Sequence, residues 1–94
     1  MFTWDSQKAK INFEKHGICF EEAATVFDDP EGLHWQDIRH SRQEARFKRL
    51  GISRESRVVL VVYTIRRVRN GKATIRIISA RQASRKERQA YSGP

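Results

Sequence analysis

Residues 58–80, VVLVVYTIRRVRNGKATIRIISA, decide the fold of this chain. Two apolar and β-branched runs, Val58–Val68 and Lys72–Ala80, are typical of paired strands. Asn70-Gly71 lies between them and is a type I′ turn signal, because both residue types tolerate the positive φ that this two-residue turn requires. The sequence therefore predicts an antiparallel hairpin closed at Asn70-Gly71.

Arg76 interrupts the second apolar run of this hairpin. A two-residue turn sets Tyr63 opposite Ile78 and places Arg76 on one face with four uncharged side chains, Val61, Tyr63, Ile65 and Ile78. A half-buried arginine needs an anionic partner. Two partners stay open, an internal carboxylate (Glu44 or Asp37) or a phosphate of a ligand. A change of one residue in the turn would move Arg76 to the other face.

The elements before the hairpin are mainly helical. Residues 2–4 predict a weak strand, and a helix over residues 6–16 begins after Asp5, a good N-cap, and ends at Gly17. Its apolar spacing places Ala9, Asn12, Phe13 and His16 on the inward side. A second helix is expected over Phe20–Phe27, which Asp28-Asp29-Pro30 ends.

Residues 29–43 have no clear period and are predicted to form a long loop before a strand over Ala45–Ile52. Ser84-Arg85-Lys86-Glu87 is a capping box that begins a last helix through about Tyr91. Together these elements predict a single α+β domain over residues 1–94, with one antiparallel sheet, two N-terminal helices and a C-terminal helix.

Charge is distributed unevenly along the 94 residues, whose formal net charge is +8. Residues 1–37 hold eight acids and three lysines, a net of −5, whereas residues 38–94 hold sixteen bases and three acids, a net of +13. The basic part predicts a surface for a polyanion, with nucleic acid the first candidate and an anionic membrane the second.

Several protein classes are disfavoured by composition. No window approaches 18 consecutive apolar residues, and the N-terminus lacks a signal-peptide pattern. The single cysteine, Cys19, rules out an internal disulfide and favours the reducing cytoplasm as the compartment. Nucleotide-binding glycine motifs are absent, so no cofactor is expected. His34, Asp37 and His40 are of metal-ligating types, but three such residues in a loop are more often unligated.

Two groups of residues could act on RNA. Cleavage without a metal needs a base for the 2′-OH proton, a cation for the phosphate and an acid for the leaving oxygen. The first group lies where the predicted loop meets the sheet and comprises His40, Glu44, Arg46 and Lys48. The second surrounds the last helix and comprises Arg81, Arg85, Lys86, Arg88 and Tyr91. Each of these residues could equally belong to an ordinary solvated surface.

The order of motifs resembles the BrnT toxins of type II toxin–antitoxin modules over essentially the whole chain. The matching pieces are Phe2-x-Trp4-Asp5, Lys8, Asn12, Lys15-His16-Gly17, Phe20-Glu21-Glu22-Ala23, Asp28, His40, Glu44-x-Arg46, Gly51-x-Ser53, Val62-Tyr63-Thr64, Ile75-Arg76-Ile77-Ile78-Ser79-Ala80-Arg81, Ala83, Glu87-Arg88 and Tyr91. The chain departs from the family pattern at Cys19, where many relatives have a serine N-cap, and in its long basic hairpin.

This resemblance implies a RelE-like fold and an endoribonuclease that needs no metal or cofactor and halts translation and growth. It also implies a BrnA-like antitoxin in an assembly of two toxins and two antitoxins, with operator DNA bound only through the antitoxin and no membrane. Carried over by residue, it gives a candidate catalytic set of His40, Glu44, Arg46, Arg76, Arg81 and Tyr91, with Lys48, Arg85, Lys86 and Arg88 contacting RNA. The alternatives are a non-catalytic RNA- or DNA-binding module and a protein-interaction domain.

Overall fold

The computed structural model describes residues 1–67 and 69–93. These residues contain three α-helices, α1 (Ser6–His16), α2 (Phe20–Thr25) and α3 (Arg85–Ser92). They also form one sheet from β1 (Phe2–Thr3), β2 (Leu33–Asp37), β3 (Arg46–Ile52), β4 (Val58–Arg67) and β5 (Ala73–Gln82). The strand order in space is β1-β5-β4-β3-β2. Within the described residues, no helix is both long enough and apolar enough to cross a membrane.

The predicted α+β class, with one sheet, two N-terminal helices and a C-terminal helix, is confirmed. The sheet differs from the prediction at one edge, because β1 pairs with β5 in parallel, Phe2 lying opposite Ile75, while the other three pairings are antiparallel. A two-residue strand carries too little pattern to specify its partner, so this pairing was beyond sequence reasoning.

Capping residues set the N-terminal helices. Asp5 accepts a hydrogen bond from the Lys8 N–H at 3.0 Å, and Gly17 ends α1 in the left-handed region with φ 72°. Cys19 replaces the usual hydroxyl, and its Sγ accepts from the Glu22 N–H at 3.4 Å. The second helix was predicted too long, since α2 ends at Thr25 and a 3₁₀ turn, Val26–Asp28, follows.

The inward side of α1 differs from the prediction at Phe13, which is 55% exposed. Asn12 is buried as expected, for a reason other than apolar packing. Its side chain donates to the Ala80 carbonyl at 2.9 Å and accepts from the Ala80 N–H at 3.0 Å, as a neighbouring strand would. One amide side chain thus satisfies both backbone groups of Ala80 at the edge of β5.

The prediction of a long loop over residues 29–43 is wrong, because this segment contains β2. Leu33 pairs with Leu50 and Asp37 with Arg46, so β2 forms the outer edge of the sheet beside β3. Four of its five residues are exposed. An edge strand with little buried surface lacks the apolar alternation by which a strand is recognised in a sequence.

Asn70-Gly71 lies between β4 and β5 as predicted, but the predicted two-residue turn and its register are wrong, because five residues, 68–72, separate the last paired residues. Asn70 and Gly71 both have φ 73°, as expected. However, the last pair is Arg67 with Ala73, and Tyr63 lies opposite Ile77 rather than Ile78. The predicted strand end at Val68 lies outside the described residues.

Arg76 consequently pairs with Thr64, on the face opposite Tyr63, so the predicted face for Arg76 is wrong. A β-bulge between Val62 and Tyr63 restores the register farther along the strands.

The two faces of the sheet are used differently. One face packs under α1 and α2 and holds the main core, which includes Ile18, Phe20, Val61, Tyr63 and Ile77. The opposite face, here called the open face, is covered by α3 at one end, where Leu50, Leu60 and Ala83 are buried. The residues that the pairing register places along the rest of the open face include Trp35, Asp37, Arg46, Lys48 and Arg76.

Candidate active site

A carboxylate–histidine pair lies at one end of the open face. The Nδ1 atom of His40 is 2.8 Å from Oδ2 of Asp37, the last residue of β2. The Asp37 side chain is 12% exposed and that of His40 is 65% exposed, so the carboxylate is enclosed and the far side of the imidazole faces solvent. Lys48 Nζ lies 3.8 Å from the same carboxylate oxygen.

The pKa of Asp37 is set by opposing influences. Burial, the largest of them, raises the pKa, but the hydrogen bond from His40 and the charges of His40 and Lys48 together bring it below its usual range. Asp37 is therefore ionised at neutral pH. An ionised carboxylate at Nδ1 holds the proton of the neutral imidazole on that nitrogen and leaves Nε2 as the basic atom.

The loop that carries His40 is held by its own backbone and one hydroxyl. A 3₁₀ turn, Ile38–His40, follows β2, and the Ser41 N–H donates to the Ile38 carbonyl at 3.3 Å. The Ser41 hydroxyl donates to the Asp37 carbonyl at 2.5 Å and accepts from the Arg46 N–H at 3.0 Å. Ser41 thus ties the end of β2 to the start of β3 and fixes the loop between them.

A shallow cavity of about 570 Å³ opens beside this loop. Its lining combines three arginines, His40, two other polar residues and one apolar residue: Arg39, Arg42, Arg46, His40, Gln43, Glu44 and Ile78. Glu44, the acid among them, pairs with Arg66, with Oε2 at 3.1 Å from Nε. The cavity is therefore strongly cationic and suited to a phosphate group.

Arg46, Thr64 and Arg76 form a row across three neighbouring strands. At about 4.8 Å per strand, the Arg46 and Arg76 backbones lie about 10 Å apart. Within residues 1–67 and 69–93, neither guanidinium forms an ion pair with a carboxylate. Thr64 is 1% exposed, and its hydroxyl has no hydrogen-bond partner in that part of the chain.

The two internal partners considered for Arg76 are engaged elsewhere, Glu44 with Arg66 and Asp37 with His40 and Lys48. Asp5 is a third acid near Arg76. The hydrogen bond from the Lys8 N–H lowers the pKa of Asp5 and the charge of Arg76 helps to lower it, although Asp5 and Arg76 form no ion pair within the described residues. An anion from a ligand stays an open alternative for Arg76.

The residues around α3 form a second group, and two of them hold the helix in place. Arg81 donates to both carboxylate oxygens of Glu87, at 2.8 and 3.0 Å. This hydrogen bonding from Arg81 lowers the pKa of Glu87 to about 2. Tyr91 donates its hydroxyl proton to Asp29, and this hydrogen bond raises the pKa of Tyr91 to about 12.

The basic residues of α3 are exposed: Arg85, Lys86 and Arg88. Arg88 also donates to the Ala83 carbonyl at 3.0 Å. The structure therefore separates the predicted site residues into two sets. His40, Glu44, Arg46, Lys48 and Arg76 lie around the cavity and the adjoining strands, while Arg81, Tyr91 and the basic helix lie toward the other end of the open face.

Sequence reasoning missed three residues of this site. Asp37 was considered only as an ion-pair or metal-ligand candidate, and Arg39 and Arg42 were not singled out. The spacing Asp37-x-x-His40 could have indicated the pair, because residues three apart meet in a helical turn. Among the residues that the structure describes, no cluster of three or more His, Cys, Asp or Glu could hold a metal ion.

The fold and the site together define a small α+β protein with a cationic sheet face that suits a polyanion. The chain belongs to the BrnT family, since the model of that family, described as ribonuclease toxin, BrnT, of type II toxin-antitoxin system, matches residues 4–87. The resemblance seen in the sequence motifs is thereby confirmed.

The fold is also that of a solved protein. The chain is similar to the 1.1 Å crystal structure of the Brucella abortus ribonuclease toxin, BrnT, with a TM-score of 0.62. The match has 19% sequence identity and covers 90% of this chain and 99% of that chain. No curated protein matches this chain. At this identity the structural likeness establishes the fold, and the site has to be argued from the residues themselves.

Proposed function

We propose that this BrnT-family chain is a metal-independent endoribonuclease that cleaves RNA to inhibit translation and growth, with its active site at the Asp37–His40 end of the open face. One observation carries the proposal: a histidine with a carboxylate on Nδ1 lines a cavity together with arginines. A base and phosphate-binding cations are what RNA cleavage by the adjacent 2′-OH requires.

In the proposed reaction, His40 accepts the 2′-OH proton at Nε2. The 2′ oxygen forms a bond to phosphorus, the bond from phosphorus to the 5′ oxygen breaks, and the leaving oxygen takes a proton from water at this open site. The hydroxide that remains takes the proton from His40, which restores the neutral imidazole. The products are a cyclic phosphate and a 5′-OH end. Arg46 and Arg76 stabilise the charge of the pentacoordinate phosphate, with Lys48 assisting.

The other candidates take less direct roles in this scheme. Glu44 orients Arg66 through their ion pair, so His40 is the preferred proton acceptor of the two. Arg81 and Tyr91 position α3 through Glu87 and Asp29. The exposed residues Arg85, Lys86 and Arg88 contact RNA phosphates away from the reacting bond.

The proposed setting follows from the family. A type II toxin has an antitoxin partner, and we propose a BrnA-like antitoxin that neutralises this chain in the cytoplasm. The complex would hold two toxins and two antitoxins and would contact operator DNA only through the antitoxin. Size measurement of the purified complex by light scattering tests the stoichiometry, and a complex of any other composition would contradict it.

The main test is cleavage of a single-stranded RNA by the purified protein in EDTA, comparing His40→Ala with His34→Ala. Loss of a general base lowers the rate about 10²- to 10⁴-fold. His34 is a matched control because it lies in β2, the strand that ends just before the His40 turn, but pairs with Arg49, on the opposite face. We expect His34→Ala to cleave like the wild type.

Three outcomes would overturn the proposal. RNA that is bound but left intact would favour a non-catalytic binding module. Cleavage that stops in EDTA and returns with a divalent metal would contradict metal independence. Undiminished cleavage by His40→Ala would remove His40 from the reaction.

A further inference from the structure

Trp35 is an exposed aromatic side chain on the open face. It lies in the middle of the edge strand β2 and is 42% exposed, although tryptophan is highly buried on average. Its direct cross-strand partner is Lys48, so the indole and the lysine share one face. The packing of the core does not explain this position, because the core under α1 and α2 lies on the other side of the sheet.

The indole is a neighbour of the proposed reaction site. Trp35 precedes Asp37 by two residues on the same strand, which places their side chains on one face about 7 Å apart. Lys48, opposite Trp35, reaches to 3.8 Å from the Asp37 carboxylate. An RNA phosphate held near His40 and Lys48 would therefore bring an adjoining nucleotide over the indole.

Other aromatic rings in the described residues are not available on this face. Tyr91, which sequence reasoning offered as a stacking residue, donates to Asp29 and packs against the small core under α3. Trp4 packs edge-on against Phe20, with ring centroids 5.9 Å apart. Phe47 and Tyr63 stack on each other on the side of the main core.

We propose that Trp35 is the stacking platform for an unpaired nucleobase of RNA bound at the His40 site, an inference that rests on the proposed function. A flat indole beside cations matches a nucleotide, which has an apolar base face and an anionic phosphate. Every base has such a face, so Trp35 contributes affinity for single-stranded RNA with little preference for base identity.

Binding of a short 2′-O-methyl oligoribonucleotide, which cannot be cleaved through the 2′-OH, tests this inference by fluorescence anisotropy. We expect Trp35→Ala to weaken binding about 10- to 100-fold, the range that stacking of one base supports. Trp35→Phe should stay within a few-fold of the wild type because a phenyl ring still stacks. Leu33→Ala is the matched control, since Leu33 is 41% exposed two residues away on the same face.

A second ligand series separates stacking from structural damage. Oligonucleotides with a single abasic position, moved along the strand, remove one base at a time. At one position, removal of the base should weaken binding to the wild type as much as Trp35→Ala weakens binding to the intact oligonucleotide. Removal of the same base should not weaken binding to Trp35→Ala any further. If every abasic position weakened binding to Trp35→Ala as much as it weakens binding to the wild type, Trp35 would act only through the fold. That result would overturn the inference.

Two other outcomes would also overturn it. Wild-type affinity of Trp35→Ala for every oligonucleotide would exclude a stacked base. Unchanged RNA binding together with weaker capture of the antitoxin would assign Trp35 to the antitoxin interface instead. The binding assay uses an uncleavable ligand, so its result does not depend on catalysis. Failure of the wild type to cleave RNA would contradict the proposed function and would leave the binding test of Trp35 unaffected.

Discussion

Asp37 is a single side chain that holds two others of the candidate site. Its carboxylate accepts from His40 Nδ1 at 2.8 Å and lies 3.8 Å from Lys48 Nζ, so it orients an imidazole and an ammonium at once. An unsupported imidazole exchanges its proton between two nitrogens and rotates about its side-chain bonds. In the proposed reaction, Asp37 is therefore a positioning residue for His40.

Asp37→Asn tests this role because the amide keeps the size of the side chain and loses its charge. We expect kcat to fall at least 10²-fold while the KM for RNA changes little, since loss of the corresponding carboxylate in a serine protease triad costs more than that. NMR of the His40 ring should show loss of the Nδ1–H tautomer. Equal kcat in the two proteins, or a change confined to KM, would contradict the positioning role.

Elements with strong local signals were predictable from the sequence. Ser84 and Glu87 form the expected reciprocal capping box at the start of α3, and Asp5 and Gly17 bound α1 as predicted. Such signals act over three or four residues and do not depend on the rest of the fold.

Register and edge pairing depend on distant contacts and were not predictable. The strand β2 is recognisable only by its pairing with β3, and the face of Arg76 depends on where pairing stops at Arg67 and Ala73. For the candidate site, the sequence singled out His40, Arg46 and Arg76 as candidates but not the hydrogen bond between His40 and Asp37. The catalytic set itself stays a prediction.

Tyr91 connects α3 to the segment before β2 through the hydrogen bond that its hydroxyl donates to Asp29. The contribution of this hydrogen bond to the free energy of unfolding can be measured. The acceptor, Asp29, also accepts from the Ile52 N–H at 2.8 Å and from the Glu31 N–H at 2.9 Å. One carboxylate thereby holds the end of β3, the start of the β2 segment and the last turn of α3. A hydrogen bond to such a charged group is worth about 1.5–3 kcal/mol.

Tyr91→Phe should lower the free energy of unfolding at pH 7 by about 1–2 kcal/mol and the Tm by several degrees. The pKa of about 12 in the folded state lies above the ordinary tyrosine value of 10.0, so the folded protein holds this proton more tightly. The stabilisation that the Tyr91 hydroxyl contributes is complete below pH 10 and is lost as the pH rises toward 12. Denaturant unfolding from pH 7 to 12 checks this, and parallel curves for the two proteins would contradict it.

The uneven charge along the chain corresponds in part to the two faces of the sheet. The acidic first 37 residues contribute α1 and α2 to the covered face. They also contribute β2, whose last residue, Asp37, belongs to the basic open face. Three bases, Arg46, Lys48 and Arg76, therefore lie on the face that α1 and α2 leave uncovered, and one acid in that region supports His40.

This distribution predicts which arginines determine the salt dependence of RNA binding. For single strands, the logarithm of affinity falls with the logarithm of salt by about 0.7 for each phosphate that a protein neutralises. Arg46→Ala and Arg76→Ala should each weaken binding of the uncleavable oligonucleotide and reduce that slope by about 0.7 between about 50 and 200 mM salt.

Arg54→Ala is the control, because Arg54 is equally cationic but is exposed beside Thr25 and Asp28, at the α2 end of the molecule. Its slope should match the wild type, since a ligand on the open face does not reach it. Equal slope reductions in all three variants would mean that RNA responds to total charge rather than to the arrangement of Arg46 and Arg76, and the phosphate site would then have no basis.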